Sequence, residues 1–214
     1  MTIKTKDFIE IEYTGKLEGG TVFDTTDGKV AKENEIYNEG MNYGPVIMCV
    51  GEKQILAGLD NALEGKEADK EYTIHLKAEQ AFGKKNVKLI QLIQTSKFLK
   101  QKIQPVPGLQ INIDGVMGLV KTVSGGRTLV DFNHPLSGKD LIYVIKIKRV
   151  IQDDKEKLEG YLKLRLGVKD ISVRIENGEA TAQVKNEIAS EDKEAIMGKV
   201  KELIPGIKKM DIIK

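Results

Sequence analysis

Few side chains in this sequence could act as a nucleophile, a metal ligand or a proton carrier. Cys49 is the only cysteine, so the chain can form neither an internal disulfide nor a cluster of thiolate ligands. The two histidines, His75 and His134, do not lie at a metal-ligand spacing, and each is expected to be structural or solvated. The sequence therefore predicts no metal site and no cofactor, and it favours chemistry that needs none of these groups.

The composition predicts a soluble globular protein with a highly charged surface. Hydrophobic residues make up 40% of the 214 residues and charged residues 31%. Lysine and arginine total 34 against 32 acidic residues, so a net charge of +2 gives no electrostatic reason to expect nucleic acid or membrane as a partner. The first residues lack the apolar run of a signal peptide, and no apolar stretch approaches the roughly 20 residues that span a bilayer. A cytoplasmic location is expected.

The most informative segment runs from Gly44 to Gly65. Its apolar run up to Val50 predicts a buried strand, and Gly51 marks a tight turn. Residues Leu59–Leu63 then have the spacing of one short amphipathic helix, which Gly65 would end. A strand, a turn and a helix are predicted in that order.

Alternation of apolar and polar residues predicts further half-buried strands around this segment. These strands are expected at Asp7–Leu17, Thr21–Asp24, Lys70–Lys77 and Leu141–Val150. Residues 26–44 are polar and interrupted by glycine, which predicts a loop.

Residues 84–130 are predicted to form a separate small β-rich unit. Its candidate strands are Val87–Ile93, Leu109–Ile113, Val116–Val123 and Arg127–Phe132. A helical turn over Ser96–Leu99, capped by Thr95 or Ser96, is expected between the first two. The unit holds more large apolar side chains than a chain of under 50 residues can easily bury, so some of them are expected at the surface.

The tail predicts a domain of its own, in the order αββαβ. Residues 152–157 are charged and predict a linker, and a helix is expected to follow up to Leu166. Asn177-Gly178 is typical of a type I′ hairpin turn. Ser190 is expected to cap a second helix, and Pro205 to end it.

Four motifs, in this order along the chain, resemble those of FKBP-type peptidyl-prolyl cis-trans isomerases. They are Tyr13-Thr14-Gly15 followed by Val22-Phe23-Asp24, the segment Val50–Gly65, Ala81-Phe82-Gly83, and Asn133-His134-Pro135-Leu136-Ser137-Gly138. The last two lie about 50 residues apart, an arrangement similar to the SlyD-like, insert-in-flap branch. The chain is identified as a long form of that branch with an extra C-terminal domain.

The resemblance implies an α+β fold, in which an FKBP-like antiparallel sheet wraps on a short helix. The isomerase domain would comprise residues 1–84 and 132–151, and the insert-in-flap domain residues 85–131. A C-terminal αββαβ domain would comprise residues 157–214. This last domain weakly resembles the BON module, and a homodimer through it is possible.

The resemblance also implies the residues of a proline-binding pocket. The catalytic residues would be Tyr13, Phe23, Asp24, Leu56, Leu59, Phe82 and Tyr143. Val46, Met48 and Ile55 would complete the substrate-binding wall. Asp24 is the one charged group, directed at the substrate amide or at Tyr13, and the Leu56 N–H would bind a substrate carbonyl. Phe82 lacks the hydroxyl of the tyrosine that is usual at its position.

Prolyl isomerisation fits a chain without catalytic nucleophiles. Rotation about an Xaa-Pro bond crosses a barrier of about 20 kcal/mol, and the twisted amide loses its resonance. Its carbonyl is then less polarised than that of the planar amide, so a dry apolar pocket disfavours the twisted form less. No cofactor is required, and the histidine-rich tail that binds nickel in bacterial SlyD is absent, so no metal site is expected.

In the family that this sequence resembles, inserts at this position act as chaperone modules, so the resemblance implies that this insert binds unfolded chains. The residues expected to bind them are Ile90, Leu92, Ile93, Phe98, Val116 and Leu119. The apolar patch could instead pack against the C-terminal domain. Taken singly, the pocket residues are more typical of a core than of a binding site, and Asp24 could lie in an exposed turn; only the joint pattern of motifs favours the functional interpretation. A non-catalytic holdase on an FKBP scaffold is the alternative function, and a structural or assembly protein is a third.

Overall fold

The computed structural model describes residues 1–185 and 188–214. These residues form two compact units, one of residues 77–139 and the other of residues 1–76 with 140–214. In the described part of the chain, no helix is long and apolar enough to cross a membrane.

The described residues contain twelve strands and five α-helices. The strands are β1 (Phe8–Leu17), β2 (Val22–Thr25), β3 (Val46–Cys49), β4 (Lys70–Leu76), β5 (Ile90–Gln94), β6 (Gln110–Ile113), β7 (Val116–Ser124), β8 (Arg127–Asp131), β9 (Leu141–Val150), β10 (Ser172–Glu176), β11 (Glu179–Gln183) and β12 (Lys209–Ile213). The helices are α1 (Gly28–Glu33), α2 (Ala57–Leu63), α3 (Thr95–Lys100), α4 (Asp154–Leu166) and α5 (Ser190–Leu203). Short 3₁₀ turns lie at Ala78–Gln80 and Val87–Leu89.

An antiparallel sheet in the order β2-β1-β9-β4 forms the centre of the first unit. Strand β1 is long enough to pair with β9 on one edge and with both β3 and β2 on the other. Directly paired residues of an antiparallel sheet point to the same side, so the register divides the side chains between two faces. One face carries Ile9, Ile11, Tyr13, Val46, Met48, Tyr143, Ile145 and Ile147.

The predicted strand, turn and helix between Gly44 and Gly65 are confirmed. Strand β3 leads through a turn into α2, which lies beside β4 and buries Leu59 and Leu63. Gly65 follows the helix with φ +78°, the left-handed conformation that ends helices and that glycine adopts without steric cost.

The prediction that residues 26–44 form only a loop is wrong, because they contain the helix α1 (Gly28–Glu33). The Asp27 side chain caps this helix by accepting a hydrogen bond from the Lys29 N–H at 2.7 Å. An aspartate at the N-cap satisfies backbone donors that the first turn leaves unpaired. The stacked rings of Tyr37 and Tyr43, with centroids 4.9 Å apart, order the residues after the helix.

The second unit is a four-stranded antiparallel sheet in the order β5-β8-β7-β6. Helix α3 places Phe98 in a core with Ile111, Val120 and Val130. Two details of the predicted elements are wrong. Residues Val87–Leu89 form a 3₁₀ turn rather than the start of the strand, and the N-cap of α3 is Gln94, which makes no capping hydrogen bond through its side chain.

The C-terminal elements follow in the order α4, β10, β11, α5 and β12, with β11 at the centre of a three-stranded sheet. Asn177 and Gly178 have φ values of +51° and +81°, as a type I′ turn requires. The predicted linker over residues 152–157 is wrong, because α4 begins at Asp154 and is capped by Asp153. Residue Ala189, not Ser190, occupies the N-cap of α5.

The C-terminal elements share a hydrophobic core with the second face of the first sheet. Phe8 and Cys49 lie on that face and are buried with residues of α4 and α5 such as Leu158 and Val200. Helix α4 approaches β3 so closely that a Cβ atom at Gly160 would lie 2.5 Å from the Cβ of Ile47. Glycine at this position therefore lets the helix lie directly on the strand.

Candidate active site

Three aromatic rings from three strands meet on the face of the first sheet that carries Tyr13 and Tyr143, which we call the pocket face. The rings of Tyr13 and Tyr143 have centroids 5.9 Å apart, and the Phe23 ring meets Tyr143 edge-on at 5.8 Å. Such tilted and edge-to-face geometries are favourable because of the ring quadrupoles. The cluster joins β1, β2 and β9 and offers a polarisable apolar surface.

A glycine makes room for this cluster. A Cβ atom at Gly15 would lie 2.8 Å from Cζ of Phe23 and 2.9 Å from Cε1 of Tyr143, closer than carbon atoms approach. Gly15 pairs with Asp24 on one side and with Tyr143 on the other. The register of β1 and β2 shifts directly after this pair and leaves Phe23 as the extra residue of a β-bulge. The bulge lets both Phe23 and Asp24 reach the same site.

Asp24 is the charged group of the site, and it shares a hydrogen bond with the Tyr13 hydroxyl. Burial raises the pKa of Asp24, while hydrogen bonds from Tyr13 and from the Thr25 N–H act in the opposite direction. Burial, and then the charge of Asp24, raise the pKa of Tyr13 and of Tyr143. Both phenols therefore keep their protons and can donate hydrogen bonds at neutral pH.

Two buried threonines hold the backbone at Tyr13. The Tyr13 N–H donates to Oγ1 of Thr26 at 2.9 Å, and the Tyr13 carbonyl accepts from Oγ1 of Thr25 at 3.1 Å and from the Thr26 N–H at 2.9 Å. Thr25 and Thr26 are each 5% exposed. The interpretation of Asp24 as an exposed turn residue is wrong, because Asp24 lies half-buried in β2 and the threonines that follow tie that strand to β1.

We expect replacement of Asp24 by asparagine to change stability in a pH-dependent way. The folded-state pKa of Asp24 lies above its ordinary value of about 4, so its stabilising contribution is complete below that value and is lost as the pH rises through the folded-state pKa. The free energy of unfolding of Asp24→Asn, relative to the unmodified protein, should therefore increase from acid to neutral pH. Denaturant unfolding of both proteins at a series of pH values measures this difference. A difference that is constant over that range would contradict the burial argument.

The turn between β3 and α2 is held by a buried carboxylate that the sequence patterns did not single out. Asp60 is fully buried in α2 and accepts hydrogen bonds from the Gly51 N–H at 2.9 Å and the Lys53 N–H at 2.7 Å. Leu56 occupies the N-cap of α2, and its N–H has no hydrogen-bond partner among residues 1–185 and 188–214. This donor is the one that the resemblance assigns to a substrate carbonyl.

The other predicted wall residues divide by burial. Val46, Ile55 and Leu56 are half-buried and can form part of a surface. Leu59 and Met48 are 1% and 0% exposed, so they support the site from within the core rather than present a surface to a ligand. Their assignment as contact residues stays a prediction.

Phe82 belongs to the second unit, where its ring stacks on His134 with centroids 4.3 Å apart and planes 6° apart. The Phe82 carbonyl accepts a hydrogen bond from Oγ of Ser137 at 3.1 Å. His134 accepts one at Nδ1 from the Leu136 N–H. The Ala-Phe-Gly and Asn-His-Pro-Leu motifs are therefore in direct contact within this unit.

The residues that were expected to bind unfolded chains lie on both faces of the second sheet. Leu92 pairs with Leu129 on the face away from α3, and Ile90 and Leu119 both pair with Asp131 on that face. We call this surface the open face. Its apolar members are Ile90, Leu92, Met117, Leu119 and Leu129.

Phe98 and Ile93 require a correction. Phe98 is 4% exposed, so it does not offer its side chain to a partner in the folded unit, and Ile93 is partly buried against the same core, on the face opposite to Leu92. A helix that covers a sheet turns its apolar face toward that sheet, and the sequence alone did not show which side chain of α3 lies on that face. Val116 is 52% exposed and lies at the start of β7, beside the edge strand β6.

No group of three or more histidine, cysteine, aspartate or glutamate side chains within the described ranges is placed to hold a metal ion. The groups with which the candidate site could contact a substrate are the aromatic rings, the Asp24 carboxylate, the phenol hydroxyls and the Leu56 N–H.

Two family descriptions match this chain. The family FKBP-type peptidyl-prolyl cis-trans isomerase matches residues 1–104, and a family described as FKBP26, IF domain matches residues 91–136.

Relatives from archaea and bacteria match over most of the chain. The short-type peptidyl-prolyl cis-trans isomerase of Methanocaldococcus jannaschii is 32% identical over 154 residues, which cover 72% of this chain and 98% of the relative. The FKBP-type peptidyl-prolyl cis-trans isomerase SlyD of Aeromonas hydrophila is 27% identical, over 74% of this chain and 69% of the relative. The FKBP-type 16 kDa peptidyl-prolyl cis-trans isomerase of Escherichia coli K12 is 23% identical, over 70% and 94%. The chain belongs to the FKBP-type peptidyl-prolyl cis-trans isomerases.

Proposed function

We propose that this isomerase acts at the cluster of Tyr13, Phe23, Asp24 and Tyr143, and that it captures unfolded chains on the open face of its second unit. The observation that carries this proposal is the absence of a side chain at Gly15, which leaves room for the rings of Phe23 and Tyr143 to meet. The half-buried carboxylate of Asp24 lies beside them. The substrates of an isomerase of this family are proline-containing polypeptides.

The proposed mechanism relies on differential stabilisation of the twisted amide. Phe23 supplies an apolar surface for the proline ring, supported from behind by the buried ring of Tyr143, and this surface removes water from the amide. The loss of resonance in the twisted amide lowers the charge on its carbonyl oxygen, so this environment disfavours the planar form more than the transition state. The Leu56 N–H fixes the substrate by donating to a carbonyl, and Asp24 holds the Tyr13 hydroxyl in place.

Binding of unfolded chains is supported by the apolar character of the open face. Leu92 and Met117 on it are 57% and 55% exposed although they sit in regular strands. Exposed apolar side chains that are grouped on one face mark interaction surfaces. On this face Asp131, which pairs with Lys85, lies between Ile90 and Leu119. An unfolded chain offers apolar side chains to such a surface, and a chain held there presents its Xaa-Pro bonds at a raised effective concentration.

The non-catalytic holdase is the alternative, and Phe82 is the residue that favours it. Its ring lacks a hydroxyl and stacks on His134, so it supplies no side-chain hydrogen bond to a substrate. The two functions differ in one readout, since only an isomerase accelerates cis–trans exchange in a short peptide that is too small to need chain capture.

We expect Leu92→Lys to impair action on unfolded proteins while leaving short peptides unaffected. A fully buried leucine contributes about 1.5–3 kcal/mol, and loss of about 1.4 kcal/mol weakens binding roughly tenfold. The concentration of enzyme needed to accelerate proline-limited refolding should therefore rise about five- to tenfold. Refolding of a protein with a slow proline-limited phase, and isomerisation of an Xaa-Pro tetrapeptide, are measured side by side.

Leu99→Lys is the matched control. Leu99 is also 57% exposed, but it lies on α3, which covers the other side of the sheet. The control should behave as the unmodified protein in both assays. Equal effects of the two substitutions on refolding would contradict a role for the open face. Acceleration of refolding without any acceleration of the tetrapeptide would favour the holdase.

Homodimerisation through the C-terminal residues and a cytoplasmic location stay predictions. Because Phe8 and Cys49 are buried with C-terminal residues, a chain cut after residue 150 would expose them and could associate for that reason alone. Sedimentation of the intact protein over a range of concentrations is therefore the appropriate test of self-association.

A further inference from the structure

Helix α5 is connected to the turn before Leu56 by a chain of four alternating charges. Nζ of Lys199 lies 2.9 Å from Oε2 and 3.2 Å from Oε1 of Glu52, so it contacts both oxygens of the carboxylate. Lys199 also pairs with Glu202 at 3.3 Å, and Glu202 pairs with Lys6 at 2.9 Å. These ion pairs join α5 to the residues just before β1, through Lys6, and to the turn after β3, through Glu52.

The turn that Glu52 belongs to is a constrained piece of backbone. Gly51 has φ +89° and Lys53 has φ +52°, and both N–H groups donate to the buried Asp60. A lysine in the left-handed region is held there only by its surroundings. A further hydrogen bond closes the turn, because the Cys49 N–H before it donates to Oε1 of Gln54 after it at 2.7 Å.

Glu52 lies between Gly51 and Lys53, whose N–H groups donate to Asp60. Its backbone position is therefore coupled to theirs through one peptide unit on each side. Its side chain is only 16% exposed, against 46% for Lys199. A carboxylate that is largely removed from water needs its cation, because an unpaired charge there is costly. Movement of the Lys199 ammonium would therefore be transmitted to the turn.

We infer that α5, through the pair of Lys199 and Glu52, positions the turn that presents the Leu56 N–H to substrate. Lys199 and Glu52 are thus positioning residues for an isomerase site that neither of them touches. The inference rests on the proposed location of that site. It assigns to the C-terminal part of the chain a role in substrate binding.

Packing of α4 on the neighbouring strand supports the same role. Ile47 on β3 contacts Gly160 of α4, while Val46 and Met48 of the same strand point to the pocket face. The C-terminal elements therefore contact this segment twice, at the strand through α4 and at the turn through α5.

Substitution of Lys199 in the intact protein tests the inference. Lys199→Met removes the cation and keeps most of the apolar stem, and Lys199→Arg restores the charge. Partly exposed ion pairs contribute modestly, so we expect about a two- to fivefold rise in KM for an Xaa-Pro peptide at low ionic strength, with kcat unchanged. The difference should shrink in about 1 M salt, where charges are screened within roughly 3 Å. Glu52→Gln should reproduce the rise, and Lys199→Arg should abolish it.

Lys209→Met provides the control for loss of a lysine from this part of the chain. Lys209 forms a surface pair with Glu179 at 3.0 Å, between β12 and β11, and should keep the KM of the unmodified protein. The inference is overturned if Lys199→Met gives the same KM as Lys209→Met, or if Lys199→Arg fails to restore it.

The outcome is distinguishable from failure of the proposed site. If Gly15→Ala impairs isomerisation and Lys199→Met leaves KM unchanged, the site stands and the positioning role is lost. If neither substitution has an effect, the site itself is misplaced.

Discussion

Replacing Gly15 with alanine should lower kcat/KM for an Xaa-Pro peptide by roughly tenfold or more. The added methyl group would lie 2.8 Å from the ring of Phe23 and 2.9 Å from that of Tyr143, so at least one ring must leave its position. Overpacking of this kind costs about 1–3 kcal/mol. If about 1.4 kcal/mol of it acts on the transition state, the rate falls tenfold.

Gly19→Ala is the control for this substitution. Gly19 follows β1, and a Cβ atom there would have no neighbour within 4 Å. It should retain full activity, and both variants should unfold cooperatively, so that loss of activity in Gly15→Ala is not loss of fold. Equal kcat/KM values for the two folded variants would show that the aromatic cluster is not the site of catalysis.

The second large effect is expected at the contact of α4 with β3. Alanine at Gly160 would gain about 1 kcal/mol of helix propensity, but its Cβ would lie 2.5 Å from Cβ and Cγ2 of Ile47. A β-branched side chain next to the strand backbone cannot yield by rotation alone. We expect the clash to outweigh the propensity and lower the free energy of unfolding by about 1–3 kcal/mol, as measured by denaturant titration.

Gly198→Ala isolates the propensity term. Gly198 lies exposed within α5, and a Cβ atom there would meet nothing within 4 Å. This variant should be more stable than the unmodified protein by about 0.5–1 kcal/mol. We therefore expect the free energy of unfolding to fall in Gly160→Ala and to rise in Gly198→Ala. A gain of stability at both positions would mean that α4 does not lie on β3 as described.

The parts of this protein that local chemistry determines could be predicted from sequence. Alternating apolar residues indicated β1 and β9, and the run before Gly51 with the glycine at 65 indicated β3 and α2, the strand and helix on either side of the turn before Leu56. Asn177-Gly178 indicated its turn because few other residue pairs adopt positive φ twice in succession. Each of these signals is contained in a few neighbouring residues.

What could not be predicted depends on contacts between distant residues. Phe98 was expected at the surface because its unit holds more apolar side chains than it can bury. In the structure, α3 packs the Phe98 side chain into the core of that unit. Asp60 appeared as a polar residue of a short helix, and only the fold brings it to the amides of Gly51 and Lys53. The start of α4 was missed because a run of charges resembles a linker as much as a capped first turn.

The most direct test of the central claim is where an Xaa-Pro peptide binds, measured by NMR chemical-shift changes as the peptide is added to the intact, isotope-labelled protein. We predict the largest changes at Tyr13, Phe23, Asp24, Leu56 and Tyr143, together with catalysed exchange between the cis and trans signals of the peptide. Catalysed exchange with shift changes that leave all five of these residues unaffected would contradict the account.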